Sequence, residues 1–180
     1  SVSHMGLVLL GIGSIGTSSG GFATIGLTGA AMQLFTHGTI TGLLFLSVGV
    51  IYEKAHTRYI PDLGGLATRM PLVTICFIIG GLASLGLPGM SGFVSEALVF
   101  LGTFKSFPIL TSLGAFAIVI TAGYILWMIE RVLFGPEKSR FAELTDGHFW
   151  TGITPMALLI ITILGIGIYP SILTRVFEAG

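Results

Sequence analysis

Charged side chains are scarce in this 180-residue chain: 8 Lys and Arg and 8 Asp and Glu, together 9% of the sequence. Soluble globular domains carry roughly a quarter. The formal net charge of zero gives no electrostatic reason to expect nucleic-acid binding. The lone cysteine, Cys76, excludes an internal disulfide framework and any multi-cysteine metal site. There is no acidic or basic tail, and so apolar a composition argues against disorder. What is abundant is apolar surface: hydrophobic residues make up 53% of the chain and the mean hydropathy is +0.97. This is the composition of an integral membrane protein.

The gaps between charges locate the spans. Residues 1–52, 70–95, 106–129 and 147–174 contain no Asp, Glu, Lys or Arg. A spanning helix needs about 20 mostly apolar residues. The runs are continuous rather than alternating, which selects helices over a barrel. The expected fold is an all-α membrane protein of about five transmembrane helices: A (1–18), B (27–52), C (71–104), D (108–130) and E (152–174). Pro71 opens C, Pro108 opens D, Gly135-Pro136 follows D, and Pro155 lies in the first turns of E. Span A has no basic lead-in and no small-residue cleavage site, unlike a signal peptide, and its abrupt start suggests a chain cut from a longer one. Threading these spans puts Lys54, Arg58, Arg69, Arg131, Lys138 and Arg140 on one side, and Lys105 and Arg175 on the other. The first side is then cytoplasmic and the C-terminus lies outside. Tyr52, Trp127, Phe149, Trp150 and Tyr169 near the span ends suit interfacial belts.

Span C is too long for one straight crossing. A helix of about 34 residues extends about 51 Å, against a hydrocarbon core of about 30 Å. Its middle reads Leu85-Gly86-Leu87-Pro88-Gly89-Met90-Ser91-Gly92. Either two half-helices flank an unwound hinge at Gly86, Pro88, Gly89 and Gly92, or a tight turn joins two separate spans. The short remainder after residue 92 and the charge asymmetry favour the broken single span. Broken helices of this kind often mark ion sites.

Glu96 follows the break and is the charged residue set deepest in any span. Such a group costs about 2.5–3.5 kcal/mol at the bilayer centre on insertion scales. A proton-exchanging carboxyl fits this position; the alternative is a snorkelling Glu or one paired structurally, for instance with Lys105. His4 in A and His37 in B also lie in charge-free windows. A neutral imidazole accepts a proton on one nitrogen and donates from the other, which suits a relay. Taken alone, each is better explained as a helix–helix hydrogen-bonding residue. Gly11, Gly13, Gly16, Gly20 and Gly21 give the A–B connection flexibility or close packing. No nucleotide loop is involved, because no strand precedes them and no Lys follows.

Several stretches together match a known family: Ser1-Val2-Ser3-His4-Met5-Gly6, His37-Gly38, Tyr52-Glu53-Lys54-Ala55-His56-Thr57-Arg58, Gly64-Gly65-Leu66, and Leu85 through Phe93 followed by Glu96. The chain resembles the C-terminal part of the M-type, or chain 4, antiporter-like subunit of respiratory complex I (NADH:quinone oxidoreductase). The resemblance covers essentially the whole chain. It implies the last five of fourteen helices in a proton-translocating subunit of this translocase, an energy-transducing membrane enzyme. The redox chemistry would lie elsewhere: no cofactor or metal in this chain, with FMN, iron–sulfur clusters and quinone in other subunits. Neighbouring L- and N-type subunits and the lipid bilayer are the implied partners. Glu96 stands where this subunit type carries a glutamate in its second broken helix, and where the L- and N-types usually have Lys. His4 and His37 match histidines of the central hydrophilic axis. The family's other essential glutamate and lysines lie upstream of Ser1, so half of the pathway is represented here. The stretch from Gly13 to Thr28 is longer and richer in Gly and Ser than the resemblance leads one to expect. Two other readings remain at this point: a subunit of a multisubunit Na+/H+ antiporter or membrane-bound hydrogenase, and a non-conducting structural fragment.

Overall fold

The computed structural model describes residues 1–17 and 21–178, and among these every regular element is helical. The helices are α1 (Val2–Gly13), α2 (Phe22–Ala55), the short α3 (Leu66–Arg69), α4 (Pro71–Ser84), α5 (Ser91–Thr103), α6 (Pro108–Leu133), α7 (Thr154–Ile168) and α8 (Ser171–Glu178). A π-helical turn, Phe149–Ile153, leads into α7. Ser18, which ends span A as read from sequence, and Gly20 of the A–B connection lie outside the described residues. Phe22–Ala55, Pro108–Leu133 and Trp150–Ile168 are each long and apolar enough to cross a membrane. Helices α4 and α5, with 14 and 13 residues, match that length only together.

Span C is one crossing broken in the middle. Its contacts with α2 run in a single sense: Gly80 faces Leu44, Gly92 faces Ile40, Ser95 reaches Thr36 and Gln33, Val99 faces Gly29, and Gly102 faces Gly26. A hairpin would retrace its path along α2; this segment never turns back.

The break is built by its own sequence. The Gly86 N–H bonds the Ala83 carbonyl (3.2 Å) and the Leu87 N–H bonds the Leu82 carbonyl (3.2 Å), with Gly86 at φ +70. These paired bonds around a left-handed glycine are a Schellman cap. A second turn follows: the Met90 N–H returns to the Leu87 carbonyl (3.1 Å) across Pro88 and Gly89, with Gly89 at φ +92. Proline first and a positive-φ glycine second are the requirements of a type II turn. Gly92 then lets the first turn of α5 lie on the Ala83 carbonyl at the end of α4.

Helix α2 is the spine against which α1, α4, α5, α7 and α8 pack. Backbones meet most closely where both sides are small. A Cβ on Gly102 would overlap the Gly26 backbone, and one on Gly29 would lie 2.6 Å from the Val99 nitrogen. Small residues permit such approaches, which supply the dispersion contacts that hold membrane helices together. On another face, the Ser47 hydroxyl lies 3.4 Å from the Met156 sulfur of α7, and Gly42 meets Leu159. Helix α7 also closes over the break, where Gly167 lies against the Gly89 carbonyl and Met90.

The helix ends differ from the sequence-based limits in ways that local chemistry explains. Helix α2 starts at Phe22, not at residue 27, because Gly26 is a packing position against Gly102 and not a breaker. Helix α1 stops at Gly13, where the Ser14 hydroxyl turns back onto the Gly11 carbonyl (2.7 Å). Helix α6 continues to Leu133, so Glu130 and Arg131 lie within its last turn. Span E is not continuous to 174. Pro170 lacks an N–H and forces the residue before it out of helical geometry; Tyr169 accordingly sits at φ −128, ψ 74, and α8 restarts at Ser171.

The two loops at the cation-rich end are stitched together. Lys138 Nζ donates to the Pro61 carbonyl (3.1 Å) and Arg140 to the Ala55 carbonyl (3.4 Å). The Thr68 hydroxyl (2.9 Å) and the Arg69 guanidinium (3.2 Å) donate to the Glu137 carboxylate. Asp146 accepts the Leu72 (3.2 Å) and Val73 (3.1 Å) N–H groups, so a residue from the later loop caps α4.

Glu137 is held below the ordinary carboxylate value of 4.5, first by the Thr68 hydroxyl and then by Arg69. Its contribution to stability is complete above that unfolded-state value and is lost as pH falls through the lower folded-state value. Thermal unfolding of Glu137→Gln should therefore show a shallower fall in Tm than the parent chain as pH falls below 4.5, by a small amount because the pair is exposed. Parallel Tm curves for the two proteins would exclude this role for the strap.

Candidate functional site

Three of the residues singled out from sequence meet on the open side of the break. Glu96 lies in the second turn of α5 and is buried, with 4% of its surface exposed. Its Oε1 is 3.5 Å from His4 Nε2 on α1, a separation that a small side-chain rotation closes to a hydrogen bond. The His4 and His37 rings stand edge to face with centroids 5.2 Å apart. His37 Nε2 continues to the Ser1 hydroxyl at 3.1 Å. The structure thus places His4, not His37, next to Glu96, with His37 behind it.

The other Glu96 oxygen, Oε2, lies against Gly86, at the place a Cβ would take. One wall of the carboxyl site is therefore the Schellman glycine itself. Lys105, weighed from sequence as an ionic partner for Glu96, is instead over the Phe22 ring at 5.3 Å. The second His4 nitrogen, Nδ1, is buried without a hydrogen bond of standard geometry, although the Ser84 backbone approaches the ring. A histidine with one nitrogen at a carboxyl and the other uncommitted is placed to take a proton on one side and pass it from the other.

A polar layer that the sequence reading missed holds this arrangement. Gln33, Thr36 and Ser95 are buried, with 2%, 0% and 0% exposed. The Ser95 hydroxyl reaches Gln33 Oε1, and lies 3.0 Å from the Thr36 hydroxyl and 2.9 Å from the Gly92 carbonyl. These bonds join α2 and α5 one residue from Glu96 and fix the rotation of α5. A signal was present: Gln33 is the only Gln, and the chain has no Asn. A lone carboxamide inside an apolar span needs internal partners. Farther along α5, the buried hydroxyls of Thr103 and Thr111 pair at 2.9 Å.

Residues 1–121, which contain all of these side chains, match the family described as NADH:quinone oxidoreductase/Mrp antiporter, TM. The chain belongs to this family. F(420)H(2) dehydrogenase subunit M of Methanosarcina mazei is 40% identical to this antiporter-family chain over 171 residues, covering 95% of it and 33% of the relative. NAD(P)H-quinone oxidoreductase chain 4 2 of Synechococcus sp. (strain JA-2-3B'a(2-13)) is 38% identical over 190 residues, covering 99% and 34%. Among solved structures, a chain of respiratory complex I from Thermus thermophilus with bound NADH matches with a TM-score of 0.85 at 30% identity, covering 98% of this chain and 35% of that one. The antiporter-family chain spans about a third of the length of the curated relatives it matches. These relatives agree with the chain 4 resemblance read from its motifs.

Gly86 and Gly89 separate two effects. Both have positive φ, but a side chain at Gly86 meets Glu96 whereas none of its neighbours lies within 4 Å of one at Gly89. Gly89→Ala should cost about 1–2 kcal/mol from backbone strain alone. Gly86→Ala should cost more, because it also displaces the carboxyl. Thermal unfolding, followed by labelling of the buried Cys76 thiol, measures both. Equal losses would mean that Gly86 does not shape the carboxyl site.

Proposed function

We propose that this chain is the C-terminal portion of the chain 4-type membrane subunit of a proton-translocating quinone oxidoreductase, and that His37, His4 and Glu96 carry protons through its half of the subunit. The observation that carries this reading is a buried carboxyl beside a broken helix, within ion-pair reach of one histidine that is itself in contact with another. An ionisable group at this depth is expensive and is usually retained for transport.

Glu96 Oε1 and His4 Nε2 exchange a proton directly once they close to hydrogen-bond distance. His4 in turn exchanges with His37 at the edge of the ring pair, and His37 with groups near Ser1. A change of charge in a neighbouring subunit alters how the proton is shared between carboxyl and imidazole. That is the means by which quinone reduction elsewhere drives transfer here without redox chemistry in this chain. The polar layer of Gln33, Thr36 and Ser95, followed by Thr103 and Thr111, lies on the way to the opposite end of the bundle and supports an exit there. The excess of Lys and Arg at the loop-strapped end supports a cytoplasmic assignment for that end, with the C-terminus on the outer side. On this reading FMN, iron–sulfur clusters and the quinone site belong to other subunits, and L- and N-type antiporter-like chains are the neighbours.

Glu96→Gln tests the assignment. In proteoliposomes containing the assembled complex, the ratio of protons moved to electrons transferred should fall, while the amount of complex on a native gel changes less. An unchanged ratio in a fully assembled variant would reject the role of Glu96. Transport that requires Na+ and ignores a quinone reductant would replace this function with that of a cation exchanger.

A further inference from the structure

A cleft of about 430 Å³ opens at the loop-strapped end, between the Ile60–Pro61 turn and the last turn of α6. Two cations, Arg131 and Lys138, line it together with one acid, Glu130. Neither cation forms an ion pair with a carboxylate among the described residues. Each is held in place by other means. The Arg131 guanidinium lies over the Trp127 ring at 4.5 Å, and Lys138 Nζ is anchored on the Pro61 carbonyl at 3.1 Å. A guanidinium stacked by its face keeps its edge donors free for a phosphate oxygen, and an ammonium with one bond made has two left.

The surface below the cleft is apolar and continuous. Leu113, Phe116, Ile120, Tyr124 and Trp127 are all exposed, and their spacing puts them in one stripe along α6 that ends at Arg131. A cationic pocket at the bilayer surface above a full-length apolar stripe complements a molecule with an anionic head and a long hydrocarbon tail. Basic pockets of this kind between helices hold acidic lipid headgroups. Arg131 and Lys138 both lie beyond residues 1–121, the part matched to the family.

We propose that this cleft binds an anionic phospholipid, its phosphodiester on Arg131 and Lys138 and an acyl chain along the α6 stripe. The net charge of the three ionisable groups in the cleft is positive, which selects an acidic headgroup over a zwitterionic one. Glu130 opposes an anion in the cleft, so its removal does not weaken the site as removal of either cation does.

The test uses the protein extracted from its native membrane in mild detergent with the subunits that accompany it. Phosphatidylglycerol, phosphatidylcholine or inorganic phosphate is added, and the temperature at which Cys76 becomes labelled is read from its own peptide by mass spectrometry. Phosphatidylglycerol should raise that temperature by several degrees more than phosphatidylcholine. Arg131→Gln with Lys138→Gln should abolish the difference. Arg131→Gln alone, which leaves the Lys138–Pro61 bond in place, should reduce it, and Glu130→Gln should preserve or enlarge it. Equal protection by the two lipids, or an undiminished difference in the double variant, would overturn the proposal. Protection by inorganic phosphate equal to that by phosphatidylglycerol would also overturn it, leaving a free-anion site in place of a lipid site.

Discussion

A helix interrupted inside a bilayer must satisfy its own backbone, because the hydrocarbon offers no water to do so. The segment from Leu82 to Met90 meets that requirement with a Schellman cap followed at once by a type II turn. Everything at the candidate site depends on this. The cap ends α4 at the depth where Glu96 lies, and its glycine leaves the space that the carboxyl occupies. The turn restarts the chain as α5 with its axis still running along α2. A break made with bulkier residues would fill the same volume and separate Glu96 from His4.

The two halves of the broken span are fastened by different means. Helix α4 is fixed at its far end, where Asp146 reaches it from the loop after α6 and the Glu137 strap holds the adjoining α3. Helix α5 is fixed along its length, by backbone contact at Gly26–Gly102 and Gly29–Val99 and by the hydroxyl and amide layer around Ser95. Helix α2 bears on both. Helices α1 and α5 each pack on α2 and also touch one another, so three interfaces set the His4–Glu96 separation.

Much of this could be read from the residues. The charge-free windows locate the membrane helices, and Gly86-Leu87-Pro88-Gly89 states its turn types almost literally. Glu96 stood out because no other Asp, Glu, Lys or Arg lies so deep in a span. Other features were hidden for physical reasons. Periodicity places His4 and His37 on helices but does not say which helices touch, so their order relative to Glu96 needed coordinates. Thr36 and Ser95 resemble the many hydroxyl residues that bond their own helix, as Ser47 and Thr103 also do. Gln33 carried a signal in being the only carboxamide. Gly26 reads locally as a helix end because its role depends on Gly102, far away in sequence. Pro170 was legible in principle, but the uninterrupted apolar run around it concealed the break between α7 and α8.

The reliance of both half-helices on α2 has a consequence for biogenesis. Segments emerge from the ribosome in chain order, and α4, at about 21 Å long, falls short of a bilayer of about 30 Å. The insertion machinery therefore receives α4 and α5 as one hydrophobic stretch carrying a carboxyl. Helix α2 precedes that stretch in the chain and carries Gln33, Thr36 and the small-residue surface on which it packs. Helix α7 is translated later, and its Gly167 comes to rest on Gly89 and Met90. The order of synthesis follows the order of structural dependence, with the template first, the interrupted span second and the cover over its break afterwards.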